Sequence, residues 1–238
     1  MKNLRANSSL ISGSVPVLFM LILLGTPAGP LVAGSIIGWN AASGLTPDQI
    51  DTPWTLTLTN GAIAPVLDMG VLRIETDANE KNAFYLQTEP VIDTDRPFTI
   101  EFRMRVISGS TVNSARGPVI VFTTVQPSLG TLLILDVDKV FFNVGLNTAG
   151  PIATVDTDDQ HHDYRLEYDG AGMFVLFYDG DELLSAAAYS SASDHASTLR
   201  IGWGEGSVAA LGVSEWISFG HTAAASILKD GFEIQSSD

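Results

Sequence analysis

The chain contains no cysteine, which removes disulfides, thiolate metal sites, a cysteine nucleophile and a lipid-modified cysteine together. Stability must come from packing. Basic residues are scarce: 12 Lys and Arg stand against 27 Asp and Glu, a formal charge of −15. Such a surface offers nothing to a phosphate backbone, so nucleic acid is excluded as a partner and an anionic membrane is disfavoured. Long hydrophobic runs are missing too. The longest, Val15 to Leu24, is about half of the roughly 20 residues needed to span a bilayer. What remains is a chain that is 45% apolar over 238 residues, enough for a substantial core in one domain.

That short apolar run follows Lys2 and Arg5 and precedes small residues and proline around Ala28 and Ala33. This is the pattern of a cleaved export signal. Residues 1–33 are therefore expected to be a leader, 34–221 the mature domain and 222–238 a C-terminal tail. Its cleavage removes two basic residues and leaves the mature chain more acidic, with no stable membrane span. The expected location is secreted, periplasmic or cell-surface.

Helical periodicity is also lacking. Beyond the leader the apolar residues recur with period two, the strand signature. In FTIEFRMRV, residues Phe98, Ile100, Phe102, Met104 and Val106 share one face, and Thr99, Glu101, Arg103 and Arg105 the other. Further strands are expected at Val71–Glu75, Val119–Thr124, Leu132–Val137, Val140–Val144, Tyr164–Tyr168, Phe174–Tyr178, Leu183–Ala188, Leu199–Trp203 and Trp216–Phe219. Asp169-Gly170 and Asp179-Gly180 supply residues tolerant of positive φ where tight hairpins need them. Asn40 to Asn60, polar around Trp54, reads as an irregular lead-in. The expected fold is an all-β antiparallel sandwich.

The stretch Asp158 to Ala186 places His162 and Tyr164 at the start of one strand, then Asp169-Gly170, then Tyr178-Asp179-Gly180 at the end of the next. It resembles the laminin-G-like pattern within the concanavalin A-like lectin and glucanase superfamily. Thr198 to Gly220, with its Gly-aromatic-Gly loop and Trp-led last strand, looks like the closing hairpin of the same families, although Trp216 is followed by Ile217 and Ser218 rather than by an acid. The resemblance implies a jelly roll, an architecture shared by lectins, glycanases, lyases and adhesion modules.

Catalytic constellations are incomplete. Retaining glucanases of this superfamily need two carboxylates about 5 Å apart, usually on one strand as Glu-x-Asp-x-(x)-Glu. Asp136-Val137-Asp138 and Glu167-Tyr168-Asp169 both lack the third acid. Glu101, Arg103 and Arg105 resemble part of the arginine-bearing strand of alginate lyases, without the Gln-x-His and Tyr-x-Lys-x-Gly neighbours. No Gly-x-Ser-x-Gly elbow is present. His161 and His162 face opposite ways on a strand and cannot share a metal. His162 is expected to make a structural hydrogen bond.

Acidic groups at Asp93/Asp95, Asp156/Asp158/Asp159 and Asp179/Asp181/Glu182 are candidates for a structural calcium, which favours carboxylate and carbonyl oxygens. Trp54 in the polar lead-in is the indole best placed to stack on a sugar, whereas Trp203 alternates with Ile201 and is expected in the core. The sequence thus points to an exported, non-catalytic carbohydrate-binding or adhesion-type module with glycan as partner. Its candidate binding residues are Trp54, Glu101, Arg103, Arg105 and Arg165. The alternative is a polysaccharide-degrading lyase or hydrolase of the same fold.

Overall fold

Strands that are apolar on one face must be covered by a second layer. The chain meets this requirement by dividing its strands between two antiparallel sheets. A computed structural model describes residues 36–77, 81–88, 95–111, 116–191, 195, 198–206 and 210–222. The expected leader, Asp93 and the tail beyond residue 222 lie outside the described residues. In chain order the strands are β1 (Ile36–Asn40), β2 (Thr55–Thr59), β3 (Val66–Asp68), β4 (Val71–Thr76), β5 (Asn82–Thr88), β6 (Phe98–Thr111), β7 (Val119–Gln126) and β8 (Leu129–Asp136). They continue as β9 (Lys139–Gly145), β10 (Thr148–Thr154), β11 (His162–Tyr168), β12 (Met173–Tyr178), β13 (Asp181–Ala187), β14 (Tyr189–Ser190), β15 (Arg200–Glu205) and β16 (Ala210–Thr222).

The first sheet runs β13, β12, β11, β6, β16, β4, β3, with β1 also paired to β16; the second runs β10, β9, β8, β7, β15, β5, β2, with β14 paired to β8. Successive segments alternate between the sheets, giving an antiparallel jelly-roll sandwich in which sequence neighbours and spatial neighbours differ. The expected strands are all present. β6 extends beyond Val106 to Thr111, and β16 begins six residues before Trp216. Asn40 to Asn60 departs from expectation: it holds two short 3-10 turns and then β2, where Leu56 and Leu58 alternate with threonines. Threonine is β-branched and suits a pleated edge, so a polar composition there does not argue against a strand.

Between the sheets lies a nearly continuous aromatic core. Trp203 of β15 stacks on Phe219 at 4.9 Å and 11°, and lies 4.6 Å from Trp216, 5.0 Å from Tyr85 and 5.7 Å from Trp39. On the second sheet the apolar runs of β7, β8 and β9 are continuous rather than alternating, and both their faces are covered. Phe122, Leu132, Ile134, Phe141 and Tyr189 form a separate cluster on the outward side. Gly202 makes room for it, since a Cβ there would come within 2.2 Å of the Phe122 ring.

A fully buried carboxyl group borders this core. Glu205 at the end of β15 is fully buried. Its Oε2 accepts from Thr76 Oγ1 at 3.2 Å, while the same threonine oxygen accepts from the Gly212 N–H at 3.2 Å. Burial pushes its carboxyl well above the ordinary value of 4.5, against the opposing effect of the Ser214 and Thr76 hydroxyls. The folded protein therefore holds a proton that the unfolded chain releases, so stability is highest below that value and declines as pH rises. The unfolding constant should increase by up to about tenfold per pH unit from this group as pH rises above the ordinary carboxyl value of 4.5. Denaturant titrations at stepped pH should show that slope reduced in Glu205→Gln, and an unchanged slope would contradict the protonated state.

Candidate functional site

Alternation along β6 sends Glu101, Arg103 and Arg105 to the outward face of the first sheet, because Ile100, Phe102 and Met104 are drawn into the core. Strand register then decides their neighbours. One cross-strand row reads Phe177, Arg165, Glu101, Gly220, and the next reads Asp163, Arg103, Ser218. A third places Arg105 beside Glu215 and Glu215 beside Arg73.

The charges on these rows are distributed unevenly. Arg105 grips Glu215 through two nitrogens at 2.8 and 2.9 Å, and Arg73 approaches the same carboxylate at 3.8 Å. Arg103 pairs with Asp163 at 3.3 Å. Arg165, directly opposite Glu101, turns instead to Glu167 and lays its guanidinium 3.8 Å from the centre of the Phe177 ring. Among the described residues Glu101 forms no ion pair. His161 stands 3.8 Å from Glu215, with its imidazole held below its usual value by burial and then by Arg105. Exposed ion pairs of this kind contribute about 0–1 kcal/mol each. The lattice therefore does more to shape the surface than to stabilise it.

Between the first two rows lies a depression of about 310 Å³, bordered by Glu101, Arg103, Asp163, Arg165, Phe177 and Ser218. The expected residues Glu101, Arg103 and Arg165 meet here, whereas Arg105 does not border the depression. Asp163, Phe177 and Ser218 are additional. Phe177 was locatable in principle: residues 169–172 join β11 to β12, with Gly170 and Gly172 at φ of 78° and 108°, and this hairpin fixes the register that sets Phe177 opposite Arg165.

Trp54 does not belong to this face. It is 1% exposed and packs edge-on against Phe219 at 5.2 Å and Trp203 at 6.1 Å. The polar lead-in surrounds a buried anchor, so the ring cannot stack on a sugar from solvent. Trp54→Ala should cost about 3–5 kcal/mol by the usual penalty for emptying an aromatic core site. Urea unfolding checks this, and a loss under about 1 kcal/mol would place the ring outside the core.

His162 behaves as its strand position suggests, facing inward while His161 faces out. Its Nδ1 and Nε2 each lie 2.7 Å from a carboxylate oxygen, Asp179 on one side and Asp159 on the other. The ring stacks on Tyr178 at 4.6 Å, and Asp179 also accepts from the Asp163 N–H. Burial lowers the imidazole, but the two carboxylates outweigh it and the net shift is upward from 6.5. The charged ring thus takes the oxygens that two of the acidic groups would offer a cation. Among the described residues no set of three His, Asp or Glu side chains is placed to hold a metal ion. His162 stabilises the fold fully below about pH 6.5 and loses that effect as pH rises through its raised value. His162→Ala should therefore lower the melting temperature more at pH 6 than at pH 9, and an equal loss at both would exclude the charged form.

The incomplete acid motifs are occupied structurally. Asp136 is buried and lies 3.4 Å from Lys139, and Asp169 accepts from the Ala171 and Met173 N–H groups, which hold its carboxyl below the usual range.

No family model matches the sequence. No curated protein matches it either. Solved structures with similar coordinates include the metal-free Emp46p carbohydrate recognition domain, at 15% identity and TM-score 0.48, covering 72% of this chain and 88% of that one. The Ca2+/Man-bound VIP36 exoplasmic/lumenal domain aligns at 12% identity and TM-score 0.46, covering 72% and 83%. The binding domain of Botulinum neurotoxin DC in complex with rat synaptotagmin II aligns at 9% and 0.45, covering 73% and 44%.

Proposed function

We propose that this sandwich is an exported, non-catalytic module that binds glycan in the charged depression of the first sheet. The observation that carries the reading is the checkerboard of Glu101, Arg103, Asp163 and Arg165 around that depression. Sugar hydroxyls both donate and accept, and a surface alternating carboxylate acceptors with guanidinium donors meets them in either role. All four side chains rise from β6 and β11, paired along seven positions, so the groups are held on rigid elements. Asp163 is committed to Arg103 at 3.3 Å, which supports a role in binding.

Export is supported by the basic, apolar and small-residue succession of residues 1–33, which leaves a binding domain that runs from residue 34 through the end of β16 at Thr222, one residue beyond the expected boundary. The finer laminin-G-like assignment is supported by the two Asp-Gly turns and by the tethering of His162 to Asp179.

A glycan array on the mature protein tests the reading. Arg103→Ala should weaken the best ligand about tenfold, or ~1.4 kcal/mol, with an unchanged melting temperature. Incubation with polysaccharides should release neither reducing ends nor unsaturated uronates. Release that disappears with Arg103→Ala would instead identify an enzyme, and N-terminal sequencing of the exported protein checks the leader.

A further inference from the structure

We infer that the depression selects a sugar carrying a protonated amine, and that Glu101 is the residue that selects it. The inference rests on the binding role proposed above and goes on to name the ligand class. Its basis is the charge balance around the cavity. Asp163 neutralises Arg103 at 3.3 Å. Glu167 neutralises Arg165, whose guanidinium is further committed to the Phe177 ring at 3.8 Å. On the central strands β4, β6, β11 and β16 the remaining outward charges, Arg73, Glu75, Arg105 and Glu215, are likewise tied to one another. Glu101 alone on these strands has no ion-pair partner, although its cross-strand neighbour on β11 is an arginine.

The depression therefore presents one unmatched negative charge. A ligand ammonium beside Glu101 gains a charge-assisted hydrogen bond, stronger than the bond from a neutral hydroxyl. A uronate meets the opposite situation. Both guanidiniums are already engaged, and its carboxylate would approach Glu101 with like charge inside a protein of net charge −15. Ser218, in the row beside Arg103, offers a hydroxyl to the rest of the sugar ring without altering this balance.

The test compares a glucosamine tetramer having free amines with its fully N-acetylated counterpart and with an oligouronate, by calorimetry on the full chain. The amine form should bind at least about tenfold more tightly than the acetylated form, and the oligouronate weakest of the three. Glu101→Gln should abolish the preference while retaining the acetylated form. Asp68→Asn, which removes one negative charge from β3 at the edge of the same sheet, should leave it intact and so separates local recognition from attraction to an acidic surface. Equal binding of amine and acetylated forms, or a preference surviving in Glu101→Gln, overturns this inference and leaves the glycan-binding role standing. Binding of no sugar on the array removes both.

Discussion

Everything in this fold depends on the contact between two sheets across Trp203. That indole touches Trp39, Trp216 and Phe219 from the first sheet and Tyr85 from its own, while Trp54 closes its edge. Large rings bury about 150–250 Å² each. A few of them join the layers more effectively than a larger number of aliphatic side chains would. With no cysteine to cross-link the sheets, this seam is where the layers are held in register. Once the inward face of β6 and β16 is committed to it, the outward face is left to be polar.

That division explains what was legible beforehand. In β6 the alternation is unbroken, so the sequence sufficed to separate Phe102 from Arg103. In β2 the same alternation is written with threonine and leucine beside a polar stretch, and composition concealed it. β5 (NAFYLQT) alternates only weakly, because Phe84 and Leu86 pack against the outward cluster on the second sheet while Ala83 and Tyr85 face the core. β10 is an edge strand containing Gly150 and Pro151, residues that usually argue against a strand and that here accompany a register shift in its pairing with β9.

For the candidate site, the sequence could assign residues to a face but not choose partners across strands. Glu215 lies 110 residues from Arg105, and only the pairing of β16 with β6 brings them together. The turn that opens at Asp169-Gly170 did contain register information, since it joins β11 to β12 and sets Phe177 opposite Arg165. Trp54 shows the converse limit: a tryptophan among polar neighbours is buried when those neighbours form a rim around it. What decides is the three-dimensional environment, and periodicity is silent where the chain is not regular.

The place of β16 bears on how the molecule is made. The strand lies between β6 and β4 and also pairs with β1, so the first sheet cannot be completed until residues near 222 are available. Pairings this distant in sequence delay folding, because loop closure precedes any gain from contact. During synthesis the earlier strands must leave the ribosome without their central neighbour, exposing the unpaired borders of β4 and β6 until the last hairpin arrives. Those borders are therefore aggregation-prone until residue 222 has been translated and β16 can pair with both.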